Sequence, residues 1–428
     1  MNILIKNAHL LHGEFDKTYS VAVTDDRIAY IGDAVPETMR FDRVIDARCR
    51  LLTPAFYNAH THAAMTLFRG YGEDLPLNEW LHMRIFPAEE HLTSESVYVA
   101  SKLAIAEMIR NGIVSFSDMY FFCEDTVRAV LEMGVKANIS RSVVSFDDKV
   151  DYAKDSRILE GLSLFDRYHG AGDGRVKVDL SLHAEYTNVP SAVRYMADIT
   201  KERGAIMQLH LSETEKEHTE CIARHGMTPT EFFYENGVFA SPVVCAHCVH
   251  LTDGDRAILA RNGATAVHNP VSNLKLGSGV MPLKKTLDAG INVALGTDGV
   301  ASNNRLDILR EMQLASLLQK GLSGHPESLS ADETIALATK NGARAQGRLD
   351  CGEIKVGNKA DLLLFETDVP HNLPVYDYRT MLTASAESGD ISLTMADGRI
   401  LYEDGEYQLT DVEKLRADFR SVHRHYFD

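Results

Sequence analysis

Between residues 55 and 352 the chain alternates short apolar runs with stretches of helical spacing. Eight runs stand out. The first four are Ala55-Phe56-Tyr57, Ile113 to Phe116, Val135 to Ile139 and Val176 to Leu180. The others are Ile206 to Leu209, Val243 to Ala246, Ala264 to Val267 and Ile291 to Leu295. Amphipathic stretches such as Val97 to Arg110 and Pro190 to Arg203 lie between them. Near-continuous apolar runs read as strands buried on both faces, as in parallel sheets. Eight strand–helix repeats over about 300 residues predict an α/β fold closed into a (β/α)8 barrel. An open doubly wound sheet is the competing architecture, but no Gly-rich dinucleotide turn follows the early strands.

Both ends of the chain have a different texture. Ile3-Leu4-Ile5, Val21-Ala22-Val23, Ile28 to Ile31 and Val44-Ile45-Asp46 read as strands with turns between them. Ala360 to Phe365, Ile391 to Met395 and Arg399 to Tyr402 do the same, with Asp397-Gly398 and Asp404-Gly405 as hairpin signals. Neither end has enough strands for its own core. The expected organisation is a composite β-sandwich from 1–54 and 353–428, with the barrel at 55–352.

Composition narrows the function classes. Apolar residues make up 45% and charged residues 25% of the 428 positions, a globular balance. The net charge of −17 and the lack of a Lys/Arg stripe exclude a nucleic-acid surface, though not a nucleoside-sized ligand. No apolar run reaches the roughly 18 to 20 residues that span a bilayer. Met1 to Asn7 reads as a strand rather than a secretory signal, so cytoplasmic residence is expected. Six cysteines in so long a chain are no disulfide framework. Cys245 and Cys248 form a C-x-x-C, but without a second pair they read as buried thiols.

Polar residues then fall where a barrel enzyme needs them, at the carboxyl ends of the strands. The first run leads to His60-Thr61-His62, whose alternation puts two imidazoles on one face. The fourth leads to His183, the fifth to His210 and Glu213, the sixth to His247, the seventh to His268 and the eighth to Asp298. Singly, each has a bland reading: a structural histidine, a turn or capping aspartate, a solvated first-turn glutamate. Together and in order they predict a metal site. Imidazoles with one carboxylate suit a divalent ion such as zinc or iron, which lowers the pKa of water toward neutrality.

These residues resemble the mononuclear deaminases of the amidohydrolase superfamily, and more closely the methylthioadenosine/S-adenosylhomocysteine deaminases. The shared segments are HTHAAMTLFRG from His60, LHLSET from Leu209, AHCVHL from Ala246, HNPVSNLKLG from His268 and GTDGVASNN from Gly296. GEIKVGNKADLL from Gly352 extends the similarity to essentially the whole chain. The resemblance implies that His60, His62, His210 and Asp298 hold one divalent metal, with zinc favoured and iron or manganese as alternatives. It implies that Glu213 shuttles a proton to the ring nitrogen beside the attacked carbon. His247 would polarise the nucleophile, and Asp298 would take its proton and help deliver it to departing ammonia. Binuclear relatives commonly bridge two metals through a fourth-strand lysine; here the strand ends Asp179-Leu180-Ser181-Leu182-His183 with no lysine at its end, which points to one metal. Ala55 replaces a glycine common before the first-strand motif.

For the substrate, the resemblance implies that Glu89 accepts from the ribose hydroxyls and that Arg141 and His183 contact the nucleoside. Trp80, the only tryptophan, walls the pocket or packs in the core. Arg157 matches a second family arginine or is a solvated surface residue. His268 is expected beside the pocket rather than on the metal. The implied reaction is hydrolytic deamination of an adenine nucleoside modified at the 5′ position. Guanine, cytosine, pterin or triazine substrates are the alternatives within the subtype, and a non-catalytic scaffold is the distant one. The partners expected are a small nucleoside and further copies of the chain, with no nucleic acid and no membrane.

Overall fold

A computed structural model describes residues 1–427. Five strands come first: β1 (Asn2–Leu10), β2 (Tyr19–Thr24), β3 (Arg27–Gly32), β4 (Arg43–Asp46) and β5 (Leu51–Pro54). The barrel strands are β6 (Phe56–Thr61), β7 (Ile113–Tyr120), β8 (Lys136–Val143), β9 (Val176–Val178) and β10 (Leu180–Leu182). They continue with β11 (Met207–Leu211), β12 (Val243–His247), β13 (Thr265–His268) and β14 (Asn292–Leu295). Four more close the chain: β15 (Leu362–Phe365), β16 (Ile391–Ala396), β17 (Arg399–Glu403) and β18 (Glu406–Tyr407).

The eight apolar runs lie on parallel strands in the order β6, β7, β8, β10, β11, β12, β13, β14, with β9 beside β8. The fourth run is broken into two short strands at Asp179, a buried residue. Its carboxylate takes the side-chain amides of Asn138, at 3.0 and 3.1 Å, and Gln208, at 2.8 Å. The first and last strands meet through polar groups. Asp298 donates its backbone N–H to His60 O at 3.0 Å, and Asn58 exchanges hydrogen bonds with Thr297 at 2.7 and 3.0 Å. That seam closes the barrel and carries the His60 and Asp298 backbones side by side.

Strands from both ends of the chain build a second nine-stranded sheet, in the order β18, β17, β16, β15, β5, β1, β2, β3, with β4 on β1. The two ends join where β5 pairs antiparallel with β15, Leu52 opposite Leu364. Alternation sends Ile3, Ile5, Val21, Val23, Leu362 and Leu364 into its own apolar core. The sheet is tied to the barrel floor by a buried ionic knot. Lys136, at the start of β8, reaches Asp361 and, at 2.9 Å, Asp397; the Tyr57 hydroxyl donates to Asp361. Lys136 and Asp361 are almost fully enclosed. The knot sits at the amino ends of the strands, away from the end where barrel chemistry is placed. Among the described residues no helix is long and apolar enough to cross a membrane.

Candidate active site

Five imidazoles gather at the carboxyl ends of the strands. The His60 ring lies 4.9 Å from those of His62 and His210 and 5.7 Å from that of His247, centre to centre. His183 lies 4.9 Å from His210. Asp298 faces this group, its Oδ1 3.2 Å from His62 Nε2 and 3.6 Å from His60 Nε2. Donor atoms of His60, His62 and His210 fall within 4.8 Å of one another, as do those of His60, His247 and Asp298. The four residues assigned to the metal from sequence are therefore brought together, with His247 alongside.

The arrangement fits a cation. His62 Nδ1 bonds Met119 O at 2.6 Å and His210 Nδ1 bonds His183 O at 2.8 Å. A carbonyl only accepts, so each Nδ1 carries the proton and each Nε2 keeps a lone pair for a metal. His60 Nε2 is buried without a hydrogen-bond partner, a costly orphan that a metal bond satisfies. Burial pushes the His60 and His183 imidazoles down to about 4 and holds His210 well below its usual range, so these rings are neutral. Burial also acts on His62, but Asp298 overrides it and raises that imidazole to about 9. The carboxylate draws positive charge to this point, and a divalent ion supplies it in place of the proton.

Asp298 is itself tightly held. Oδ2 accepts the Ser272 hydroxyl at 2.6 Å and the Ser302 hydroxyl at 2.8 Å, while Oδ1 accepts Gly299 N–H at 2.8 Å. Burial works against ionisation, yet the His60 and His62 contacts keep the carboxyl well below its usual range. The glycines at 296 and 299 sit in close quarters, most tightly Gly296, where the His60 carbonyl also lies 2.9 Å from an added Cβ. A Cβ on Gly296 would lie 2.4 Å from Asn269 Oδ1, and one on Gly299 would lie 2.5 Å from Met65 Sδ. Asp298, His247 and Ser212 all adopt left-handed backbone, with φ of 58°, 72° and 46°. Such residues are uncommon in that region, and their conformations here turn the ends of β14, β12 and β11 over the site.

Glu213 stands next to His247, with 3.7 Å between Oε2 and Nε2, and its Oε1 accepts from Ser278 at 3.2 Å. Burial raises its carboxyl despite the attraction of His247, so it can hold a proton. Glu217, one turn into the helix Glu215–His225, accepts the backbone N–H groups of Ser212 and Glu213 at 2.9 and 2.7 Å. This buried carboxylate fixes the loop that carries Glu213.

Above the cluster opens a cavity of about 730 Å³, within the usual range for small-molecule sites. His62, His210, His247, Glu213 and Asp298 line its inner part, and Trp80, Glu89, Arg141, Arg157 and His183 also face it. Glu89 accepts from the Tyr120 hydroxyl at 2.7 Å, and burial pushes its carboxyl up to about 7. Arg141 pairs with Glu160 at 2.7 Å, with its guanidinium over the Phe121 ring. Arg157 donates to Val144 O at 2.6 Å. Trp80 is 5% exposed yet borders the cavity, so both sequence readings of it describe the same ring. His268 is buried at the end of β13 and does not line the cavity.

Sequence reasoning missed the groups that hold the chemistry in place: Asp118, Tyr120, Glu217, Ser272, Asn273, Ser278 and Ser302. Asp118 accepts Ala63 N–H at 2.7 Å and pins the turn after His62. Tyr120 ends β7, so the strand-end criterion could have found it. Ser272 and Asn273 lie inside a segment already singled out for its motif, with three polar side chains in Asn269 to Asn273.

The amidohydrolase pattern matches residues 51–401. The chain belongs to the amidohydrolase family. Among amidohydrolase relatives, it is 41% identical over 400 residues to the 5-methylthioadenosine/S-adenosylhomocysteine deaminase of Moorella thermoacetica, covering 93% of this chain and 92% of that one. It is 40% identical over 418 residues to the 5′-deoxyadenosine deaminase of Methanosarcina mazei, covering 97% and 96%. The crystal structure of an adenosine deaminase from Xanthomonas campestris with bound zinc superposes with a TM-score of 0.92 at 28% identity, covering 99% and 98%.

Proposed function

We propose that this amidohydrolase hydrolytically deaminates the adenine ring of a nucleoside modified at its 5′ position, releasing ammonia and the inosine analogue. One observation carries the reading. A histidine–aspartate cluster with its own proton-handling carboxylate opens into a cavity that also presents an acceptor carboxylate, Glu89. The relatives named above act, by their names, on adenosine derivatives that differ at the 5′ carbon.

His60, His62, His210 and Asp298 would hold one divalent ion, zinc by preference for the imidazole-rich set. When bound, such an ion supplies Lewis acidity and water activated as a nucleophile at neutral pH. The protein's own groups handle the protons. An amidine carbon is a poor electrophile until the adjacent ring nitrogen is protonated, and Glu213 is buried so as to carry that proton. His247 Nε2 orients the attacking water, and Asp298 accepts the proton released and returns it to the leaving amine. Glu89 binds the ribose hydroxyls, Arg141, Arg157 and His183 contact the nucleoside, and Trp80 forms part of the wall. The six thiols are free and five are buried, which suits a reducing cytoplasm.

The test is a substrate panel on zinc-loaded protein, following ultraviolet absorbance with methylthioadenosine, S-adenosylhomocysteine, 5′-deoxyadenosine, adenosine and guanine. Turnover of the adenine nucleosides with release of ammonia is expected. Inertness toward all of them, with turnover of a free base, rejects the proposal.

A further inference from the structure

The helix Pro270–Lys275 and the turn after it touch each of the three groups assigned to proton transfer. Ser272 donates to Asp298 at 2.6 Å, Asn273 meets His247 at 2.8 Å, and Ser278 donates to Glu213 at 3.2 Å. The segment is internally braced, since Ser278 N–H donates to Asn273 O at 2.8 Å. Of these contacts, the one at His247 determines something the others do not.

An imidazole presents a donor at one nitrogen and an acceptor at the other, and its partner decides which is which. His247 Nδ1 faces Asn273 Oδ1 at 2.8 Å, with both residues buried. Among the described residues Asn269 Nδ2 also lies near Nδ1, but at 3.4 Å its contact is longer and weaker than the 2.8 Å contact with Asn273. Nε2 points the opposite way, toward Glu213 and the donor atoms of His60 and Asp298. With the Asn273 carbonyl on Nδ1, the proton resides there and Nε2 keeps its lone pair. A reversed amide would place an N–H on Nδ1 and put the imidazole proton on Nε2, facing the site. The ring would then offer a donor where an attacking water needs an acceptor.

We infer that Asn273 is a positioning residue that fixes His247 as its Nδ1–H tautomer, leaving Nε2 to accept from the attacking water. The inference rests on the role proposed for His247. Unlike an aspartate, the amide carbonyl adds no charge, so it accepts from the neutral and the protonated ring alike.

The tautomer is read directly by 15N nuclear magnetic resonance on histidine-labelled, zinc-loaded protein, with the His247 signals assigned by their loss in His247→Gln. A protonated Nδ1 and an unprotonated Nε2 are expected in the wild type. A protonated Nε2, or an even mixture, overturns the inference without any activity measurement. Asn273→Leu keeps the approximate shape and removes the acceptor. It should mix the tautomers and lower kcat by roughly ten- to a hundred-fold, with KM and zinc content unchanged. Asn273→Asp, which retains an acceptor, should keep the Nδ1–H form. A leucine variant with the wild-type tautomer and full kcat also overturns the inference. Because the spectrum is recorded without substrate, a failed deamination panel would reject the proposed reaction and leave the tautomer result standing.

Discussion

Replacing Glu213 with glutamine isolates proton delivery from everything else in the site. The side chains are nearly isosteric, and glutamine can still accept the Ser278 hydroxyl that now bonds Oε1 at 3.2 Å. The loop stays in place because Glu217 holds the backbone N–H of residue 213, which the substitution leaves intact. Glu213 is not among the residues assigned to the metal and meets His247 at 3.7 Å, so the metal content should be unchanged. What disappears is a titratable proton at the ring nitrogen. General acid–base catalysis contributes about 10²- to 10⁴-fold, which is about 3 to 5 kcal/mol of barrier. Glu213→Gln should therefore lose that factor in kcat while KM and the metal content stay near wild type. Steady-state deamination kinetics and elemental analysis on the same preparation check both halves. Full retained activity refutes the shuttle; loss of metal shows instead that Glu213 supports the cluster.

Three further outcomes follow from the same geometry. Lys136→Met leaves Asp361 and Asp397 without their buried cation, an uncompensated arrangement that should cost about 3 to 5 kcal/mol in denaturant unfolding. Residual kcat of the folded fraction should be unchanged, and a loss under 1 kcal/mol would contradict the view that the knot fastens the second sheet. Burial holds the Glu89 carboxyl at about 7, and the ribose needs the ionised form. Hence kcat/KM should fall as pH drops through about 7. Glu89→Gln should abolish that limb and lose roughly ten- to a hundred-fold in kcat/KM for ribosides; an unchanged pH profile would remove Glu89 from the binding site. Chelation should lower Tm in scanning calorimetry and zinc should restore it, because a ligand that binds only the folded state adds about 2.7 kcal/mol at a hundred times its Kd. An identical Tm with and without chelator would speak against a bound ion.

Much of the architecture was legible because parallel strands buried on both faces leave an unmistakable apolar signature, and all eight runs became strands. The break at Asp179 was not foreseen, since it arises from amides on two neighbouring strands, Asn138 and Gln208, distant in sequence. The short strands β5 and β18 carry too few residues for a period to show. The residues that gather in the cluster, and that are proposed to hold the metal, were readable from their chemistry and their place at strand ends. The supporting layer was not, because serine and asparagine are ordinary loop residues until the fold aims them at Asp298 and His247. Left-handed backbone at Ser212, His247 and Asp298 carries no sequence signal either, as only glycine advertises it. Lys136 lies inside an apolar run, and its partner Asp361 is 225 residues away, beyond the reach of any local pattern.

The most direct test of the account is the metal stoichiometry of the purified chain and of four variants, His60→Ala, His62→Ala, His210→Ala and Asp298→Ala, reconstituted with zinc and dialysed. One equivalent per chain is predicted for the wild type, with sharply weakened retention in every variant. Two equivalents in the wild type, or full retention after any one of these substitutions, would contradict a single ion shared by three imidazoles and the last strand's carboxylate.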